Sequence, residues 1–306
     1  MSNNNKVSIV LNCYNSEKYI KQCLDSILAQ TYVNFEIILV DNCSIDSTKF
    51  IVKKYKDKRI KYFYLKTHCK LGAARNFALS KCSGDFIAFI DSDDLWHKDK
   101  LLNQIPCFDD ESIGLVFSNS YKFKDNGWKQ KIYSKIPPDG SIFEILFTNY
   151  FISLETVVIR KKVLTKLQRL FCEDFQIIEE YDLICRLGLI TKLFYVDKIL
   201  AYWRFREDSY TWKNRHLIYK ERDQMLKMFK KEFNDFENSY PNQIIQFEKR
   251  THLEEIFYLI QQGKNGIARI KLKKYLFKDY KWTILYFILF NKNLTKIILR
   301  KLGYIY

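Results

Sequence analysis

Apolar residues in the first hundred positions alternate between two spacings. Val7–Leu11 and Phe35–Asp41 are compact apolar runs, which predict strands, and the unbroken second run indicates a strand covered on both faces. Between them, apolar side chains recur every three or four residues from Ile20 to Leu28, which predicts a helix. The same alternation then predicts a helix over about 47–56, a strand over Ile60–Leu65, a helix over Ala73–Lys81, a strand over Asp85–Ile90 and a helix over Leu95–Leu102.

Strands that alternate with helices predict βαβ units and a mostly parallel sheet flanked by helices, which is the α/β class. From Lys213 onward helical spacing dominates, so we expect a first domain over residues 1–212 and a helical C-terminal region over 213–306. The later elements predicted in the first domain are strands at Gly114–Ser118 and Thr156–Arg160 and a helix over Glu179–Leu187 that ends at Gly188.

Polar clusters follow three of the predicted strands. They are Asn12–Asn15, Asp41–Asp46 and Asp91–Asp94. Because ligands of parallel sheets bind at the carboxyl ends of the strands, we expect these clusters to meet at one edge of the sheet and to form a ligand site.

The Asp91–Asp94 cluster carries three carboxylates. Alternating carboxylates in a loop after a buried strand can hold a hard divalent cation, which often bridges to phosphate oxygens. The alternative is a solvated acidic turn that caps the next helix.

Small residues open the helix that begins in the segment Lys70–Asn76. They let backbone N–H groups approach a diphosphate, with Arg75 as a charged clamp. The alternative is tight helix packing together with a surface arginine. The chain lacks the G-x-x-x-x-G-K-[ST] and G-x-G-x-x-G patterns, which leaves P-loop and dinucleotide-binding functions without support.

Glu180 shares a helical face with apolar neighbours in the predicted helix Glu179–Leu187. A carboxyl group against apolar surface has a raised pKa, which suits a general base. The alternative is structural, because acids in the first turn favour the helix dipole and Asp182 can pair with Arg186 four residues on.

Composition narrows the class of protein. Apolar residues make up 47% and aromatic residues 16% of 306 positions, which excludes a disordered chain. The net charge of +16 suits a nucleic acid, an anionic membrane or an anionic substrate as partner, or reflects only an AT-rich coding bias, which enriches Lys, Asn, Ile, Phe and Tyr together. The eight cysteines form no C-x-x-C pair, so we expect free thiols in a reducing cytoplasm.

Much of the charge lies near the C-terminus. Residues 264–306 hold 11 Lys or Arg and one acid, Asp279, a net charge of +10. The apolar run Trp282–Phe290 is nine residues, against roughly 20 needed to span a bilayer, so we expect no crossing. We expect either contact with anionic lipid or an amphipathic helix packed on the protein. Its apolar face would hold Leu294, Ile297, Ile298 and Leu302, with Lys292, Lys296 and Arg300 opposite.

Five segments together resemble the family 2 inverting glycosyltransferases of the GT-A fold, from about Val7 to Thr211. The resemblance implies a Rossmann-like, mostly parallel sheet with a C-terminal helical extension, and an enzyme of bacterial surface polysaccharide or glycoconjugate synthesis. The segments are VSIVLNCYNSEKYIKQCLDSILAQTY, FEIILVDNCSIDST, LGAARNFAL, GDFIAFIDSDDLW and EEYDLICRL.

The family resemblance also implies a mechanism and a site. A sugar would pass from a nucleoside-diphosphate sugar, most often a UDP-sugar, to a hydroxyl of a lipid-linked or polysaccharide acceptor in one inverting displacement. The implied residues are Glu180 as general base, Asp91 and Asp93 as ligands of Mn²⁺ or Mg²⁺, Arg75 beside the diphosphate, Asn12, Tyr14, Glu17, Asp41 and Asn42 near the base and ribose, and Asp94 and Arg206 as further donor-binding residues.

The sequence departs from the family pattern at four places. Asn12 stands where proline is common, and Asn42-Cys43 where Asp-Gly is common. Glu180 replaces the usual aspartate, which leaves Glu179 and Asp182 as alternative bases. Arg206 replaces a histidine; arginine cannot ligate a metal but can pair with a diphosphate.

Two other functions stay open. One is a catalytically weak relative that binds nucleotide sugars, which Glu180 and Arg206 suggest. The other is a basic nucleic-acid-binding module, but RNP and zinc-knuckle motifs are absent, so we expect no nucleic acid partner. For the enzyme we expect a cytoplasmic location, with peripheral contact at the inner face of the membrane.

Overall fold

The computed structural model describes residues 5–206, 209–277, 280–291, 294 and 297. The chain divides into two compact units, Met1–Ser209 and Tyr210–Tyr306. The elements of the first unit are β1 (Val7–Cys13), α1 (Ile20–Leu28), β2 (Phe35–Asp41), α2 (Thr48–Lys53), β3 (Ile60–Tyr64), α3 (Leu71–Lys81), β4 (Phe86–Asp91), β5 (Leu95–Trp96), α4 (Lys100–Gln104), β6 (Ile113–Phe123), β7 (Lys129–Lys131), α5 (Phe143–Thr148), β8 (Val158–Arg160), α6 (Lys161–Leu164), α7 (Glu179–Gly188) and β9 (Lys192–Arg204), with 3₁₀ helices at Ile105–Asp109 and Leu154–Thr156.

A single nine-stranded sheet forms the centre of the first unit. Its order is β3-β2-β1-β4-β8-β6-β9-β5, with β7 paired to β6. The predicted parallel arrangement holds from β3 to β4. Beyond β4 the sheet is mixed, because β8 runs antiparallel to both β4 and β6 while β9 runs parallel to β6.

The core follows the apolar pattern of the sequence. Every residue of β1 and β2 is buried, as expected for strands covered on both faces. On α1 the buried residues are Ile20, Cys23, Leu24 and Ile27, which confirms the helical spacing.

The helix predicted over Leu95–Leu102 is wrong in its first half. Leu95 and Trp96 form the short strand β5, which pairs with Tyr202 and Ala201 of β9, and α4 begins only at Lys100. Two apolar residues cannot distinguish a strand from a helix, and here a distant strand decides the conformation.

Strand β9 has no counterpart among the predicted elements. It runs for 13 residues beside β6, with register shifts near Ser118, Asn119 and Ser120. Such irregularities change which face of a sheet a side chain occupies.

The second unit is helical, as expected beyond residue 212. Its apolar contacts gather Ile256, Ile260, Ala268 and Leu272 with Leu285. The helices are α8 (Tyr210–Lys213), α9 (Ile218–Glu232), α10 (Phe236–Ser239), α11 (Pro241–Gln261), α12 (Asn265–Leu272) and α13 (Tyr280–Ile288), with 3₁₀ helices at Arg215–Leu217 and Lys273–Tyr275.

The aromatic run Trp282–Phe290 coincides largely with α13. Trp282 and Leu289 are buried, whereas Phe287 and Phe290 are exposed. Among the described residues, no helix combines the length and the apolar character that a bilayer crossing needs. The predicted tail residues Lys292, Lys296, Ile298, Arg300 and Leu302 lie outside the described residues.

Candidate active site

The carboxyl ends of three neighbouring strands meet at one edge of the sheet. Asn12 of β1 is in register with both Val40 of β2 and Asp91 of β4, and Cys13 is in register with Asp41. The polar loops after these strands are therefore neighbours, as the order of the predicted elements requires.

Two of the predicted nucleotide-site residues hold the loops in place. Buried Asp41 accepts hydrogen bonds from the Tyr62 hydroxyl (2.7 Å) and from the Ser44 N–H (2.8 Å). Asn42 bonds with its amide to both the carbonyl (2.7 Å) and the N–H (3.0 Å) of Cys69. These contacts join the loop after β2 to the loop before α3.

Tyr14 and Glu17 lie at the outer part of the same edge. The Tyr14 ring is 48% exposed and its centroid is 4.2 Å from that of His68, whose Nδ1 donates to the Asn42 carbonyl. The Glu17 carboxylate accepts a hydrogen bond from the Ser47 N–H (2.9 Å). An exposed ring beside these loops offers a stacking surface for a planar ligand.

Two loop residues adopt the left-handed conformation without being glycine. Asn15 has φ +47° and Cys43 has φ +70°. Asparagine tolerates this region, whereas Cys43 stands where the resemblance implies glycine, which adopts it at no steric cost.

Arg75 connects two segments that are far apart in the sequence. Its guanidinium is buried and donates to Asp91 (3.0 Å) and to Glu179 (2.8 Å). Burial acts against its charge, but Asp91 and Glu179 outweigh it and raise the pKa of Arg75. Arg75, which was predicted to bind the diphosphate, is thus ion-paired with two acids of the site, Asp91 and Glu179.

The small residues before Arg75 serve helix packing. A Cβ atom on Gly72 would lie 2.8 Å from the Cys172 carbonyl oxygen, so the start of α3 fits closely against that backbone. Lys70 donates to the Asp174 carbonyl (3.0 Å) in the same region. This is the packing alternative that the sequence left open.

Asp93 and Asp94 occupy different environments. Arg206 contacts one oxygen of Asp93 at 2.9 Å, while burial and then Asp91 raise the pKa of the Asp93 carboxyl. Asp94 is buried, and it accepts a hydrogen bond from the Arg204 backbone N–H (2.8 Å). Burial raises the pKa of Asp94 well above its usual value. Asp94 therefore anchors the acidic loop to β9.

The three acids at the start of α7 also differ. Glu179 bonds to Arg75, and Asp182 is fully buried between Arg169 and Arg186. Glu180 is partly exposed, and its carboxyl group makes no side-chain hydrogen bond to another described residue. Burial raises the pKa of Glu180 to about 8, with Arg75 opposing and Glu179 adding to the effect.

Glu155 and Lys100 were not anticipated from the sequence. Both are buried; burial raises the pKa of Glu155 to about 7 and lowers the pKa of Lys100 to about 7. The one local signal for Glu155 is an acid directly before a buried strand. Lys100 donates to Gln104 (2.6 Å) and lies over the Trp96 ring, 4.5 Å from its centroid.

The donor set at Asp91 and Asp93 fits a hard divalent cation. Such a cation commonly uses one or two protein carboxylates together with water and substrate phosphates. Within the described part of the chain, no group of three or more His, Cys, Asp or Glu side chains could hold a metal by itself. Asp91 and Asp93 therefore fit a cation that is also held by substrate phosphates and water better than a cation held by protein ligands alone.

Comparison with known sequences decides the family. The family model for glycosyl transferase family 2 matches residues 8–168, which is 161 of the 306 residues. The chain belongs to glycosyl transferase family 2.

Relatives of this family 2 chain agree with that assignment. The glucosyltransferase WfgD of Escherichia coli is 35% identical over 158 residues, 52% of this chain and 61% of the relative. The chain spans less than two thirds of the length of the first curated relatives that it matches.

Solved structures show the same GT-A fold. TarS residues 1–349 of Staphylococcus aureus, crystallised with UDP, is 25% identical, with a TM-score of 0.57 and 87% of both chains covered. The mannosyltransferase PcManGT of Pyrobaculum calidifontis, in complex with GDP-Man and Mn²⁺, is 16% identical, with a TM-score of 0.63 and 96% of this chain and 86% of that chain covered. This second likeness bears on the fold alone.

Proposed function

We propose that this family 2 protein transfers a sugar from a UDP-sugar to a hydroxyl group of a lipid-linked or polysaccharide acceptor. The observation that carries the proposal is Glu180, a partly exposed residue whose carboxyl group makes no side-chain hydrogen bond to a described residue and whose pKa is raised to about 8, mainly by burial and against the effect of Arg75. Its other support is that WfgD is named as using UDP-Glc and a diphosphoundecaprenol-linked GlcNAc, and that TarS binds UDP.

The proposed chemistry is a single displacement. The Glu180 carboxylate takes the proton of the acceptor hydroxyl group, while the oxygen of that hydroxyl group forms a bond to the anomeric carbon of the donor sugar. The bond between that carbon and the diphosphate oxygen breaks, and the diphosphate leaves with the electron pair. Attack opposite the leaving group inverts the configuration and requires no covalent enzyme intermediate.

Glu180 is the best of the three candidate bases. Asp182 has both oxygens in ion pairs with Arg169 and Arg186, and Glu179 is buried against Arg75. Glu179 keeps one oxygen unpaired but is only 3% exposed, whereas Glu180 is partly exposed. A general base must be within reach of the substrate, which favours Glu180.

The leaving diphosphate would bind at the acidic loop. Asp91 and Asp93 would hold Mn²⁺ or Mg²⁺, which supplies positive charge for the leaving oxygens. Arg206, half-buried beside Asp93, would add a fixed cation, while Arg75 keeps Asp91 and Glu179 in position.

The nucleotide would bind along the edge formed by the first two strands. Tyr14 offers its exposed ring to the base, and Asn12, Glu17, Asp41 and Asn42 would contact or position the base and ribose. Asp94 serves this site by fixing the loop that carries Asp93.

One assay tests the proposal. UDP release from a panel of UDP-sugars with Mn²⁺ is measured for wild type, Glu180→Gln, Asp93→Asn and the surface control Glu111→Gln, whose side chain is 85% exposed. We expect Glu180→Gln to lower turnover roughly a hundredfold or more, the range for removing a general base. We expect Asp93→Asn to lose turnover because it removes a proposed metal ligand, and the control to keep wild-type turnover. Unchanged turnover in both site variants contradicts the assignment, and donor binding without turnover by wild type favours the catalytically weak relative.

A further inference from the structure

Unsatisfied polar atoms concentrate around the candidate active site. In the described part of the chain, six buried side-chain atoms have no hydrogen-bond partner. Native proteins leave few such atoms, and each one calls for an explanation, such as a bound water, an ion, a ligand group or a catalytic role. The atoms are Asn12 Oδ1 and Nδ2, Ser120 Oγ, Tyr150 Oη, Glu155 Oε1 and Glu179 Oε2.

Glu155 is the least expected of these residues. It is 5% exposed and lies on the 3₁₀ helix Leu154–Thr156. The backbone around it is held firmly, because its carbonyl accepts from Trp96 Nε1 (2.9 Å) and the Thr156 carbonyl accepts from Gln104 (2.8 Å). A rigid frame therefore presents a carboxylate with one unused oxygen.

Glu155, Ser120 and Tyr150 lie in the same region of the protein as the proposed general base, Glu180. The charge of Glu155 raises the pKa of Glu180 and of the Tyr150 hydroxyl, and Asp91 in turn raises the pKa of Glu155. Ser120 lies close enough to the Glu155 carboxyl to favour its ionised form, which lowers the pKa of Glu155, although neither Ser120 Oγ nor Glu155 Oε1 makes a hydrogen bond of good geometry.

The Tyr150 ring stacks on the Tyr181 ring, with 4.6 Å between the centroids, and Tyr181 directly follows Glu180. Tyr133 joins the neighbours of Ser120 and Tyr150, because its N–H donates to Asn119 (3.0 Å) and its hydroxyl donates to the Phe151 carbonyl (2.8 Å).

The available atoms define the chemistry of the ligand. An ionised carboxylate only accepts hydrogen bonds, whereas serine and tyrosine hydroxyls both donate and accept. A ligand hydroxyl group can donate to Glu155 and accept from Ser120 or Tyr150 at the same time. A bare cation would lack a third carboxylate, histidine or cysteine ligand among the described residues.

We propose that Ser120, Tyr150 and Glu155 form a subsite that binds a hydroxyl group of a sugar ring, with Glu155 as its specificity-determining residue. The inference rests on the proposed function, because that function places a donor sugar and an acceptor sugar next to Glu180. A site built to bond a hydroxyl rejects the substrate that lacks it, since its buried polar atoms are then left unpaired.

Binding of UDP and of UDP-sugars separates this role from a structural one. Calorimetry is run on wild type, Glu155→Gln and Tyr150→Phe with UDP alone and with UDP-Glc, UDP-Gal and UDP-GlcNAc. We expect each variant to weaken at least one UDP-sugar about tenfold and to leave UDP unchanged, because UDP has no sugar ring. Equal weakening of UDP and all UDP-sugars would show a structural role and overturn the proposal.

A second arm assigns the hydroxyl to donor or acceptor. If the UDP-sugar affinities stay at wild-type values while the KM for a sugar acceptor rises about tenfold, the acceptor supplies the hydroxyl. If neither affinity nor acceptor KM changes, the subsite does not exist. Selective loss of UDP-sugar binding in the variants supports the subsite even if the wild-type protein turns over no donor. The subsite proposal and the proposed transferase function can therefore fail independently, and the two failures are distinguishable.

Discussion

At the scale of single residues, the acids of the site differ in what their neighbours donate to them. Asp94 bonds to the backbone of Arg204, Asp182 to two arginines and Glu179 to Arg75. Glu180 keeps a carboxyl group that no described residue bonds. The same side-chain chemistry thus serves to anchor or to pair, and at Glu180 we propose that it exchanges a proton, according to its surroundings.

The raised pKa of Glu180 predicts the pH dependence of turnover. Only the ionised carboxylate accepts a proton, so kcat/KM should rise about tenfold per pH unit below about pH 8 and level off above it. Glu179→Gln removes a charge that raises this pKa, so its midpoint should move to lower pH. A profile that is flat between about pH 6 and 9, or a midpoint that Glu179→Gln leaves in place, would contradict this role for Glu180.

Local sequence patterns predicted the roles of some of these residues but not of others. The Asp182–Arg186 pair follows from a spacing of four residues and is confirmed, as is the acidic loop at a strand end. The contact of Arg75 with Glu179 joins positions 104 residues apart, and no local pattern contains it. Glu155 was missed because its one local signal, an acid directly before a predicted strand, does not show that its side chain is buried.

At the scale of elements, α7 separates structural acids from the proposed base within one turn. Asp182 faces the interior with Arg186, each almost fully buried, while Glu180 faces the site. The apolar residues Leu183, Ile184 and Leu187 fix the helix against the core. The position of Glu180 is therefore set by contacts made by its neighbours.

This separation predicts opposite effects for two substitutions. Asp182→Asn leaves Arg186 buried without a charge partner and should lower the free energy of unfolding by about 3 kcal/mol, with kcat of the folded enzyme nearly unchanged. Glu180→Gln should abolish turnover and keep the stability. Urea unfolding and turnover measured on both variants check this; loss of kcat in folded Asp182→Asn would restore Asp182 as a candidate base.

The elements that the sequence predicted are those with strong periodicity. The strands β1 and β2 are continuous apolar runs, and α1 has a clear apolar face. Strand β9 mixes buried and exposed residues along its length, so it shows neither pattern clearly. Its place beside β6 depends on long-range pairing that a local pattern does not encode.

At the scale of the whole molecule, charge and acids are unevenly distributed along the chain. Residues 264–306 carry +10 of the net +16, which leaves +6 for residues 1–263. The candidate site within that larger part is built largely from carboxylates. The overall charge therefore describes the C-terminal segment better than it describes the proposed catalytic chemistry.

Contact of this segment with anionic lipid is a prediction that vesicles can test. The protein should bind phosphatidylglycerol vesicles at low salt more tightly than phosphatidylcholine vesicles, and added salt should weaken the binding because it screens charge. Neutralising Lys292, Lys296 and Arg300 to glutamine should reduce binding, whereas the control triple change of Lys53, Lys54 and Lys56 should not. Equal binding by both triple variants would assign the effect to general charge, and no binding by wild type would reject membrane contact.

The late position of β9 in the chain has a consequence for synthesis. This strand lies between β6 and β5, and Arg204 at its end donates to the Asp94 carboxylate and to the Asp93 carbonyl. A ribosome must therefore translate 204 of the 306 residues before the acidic loop acquires these bonds. Until then β6 lacks one of its neighbouring strands, and an unpaired strand edge invites association with other chains.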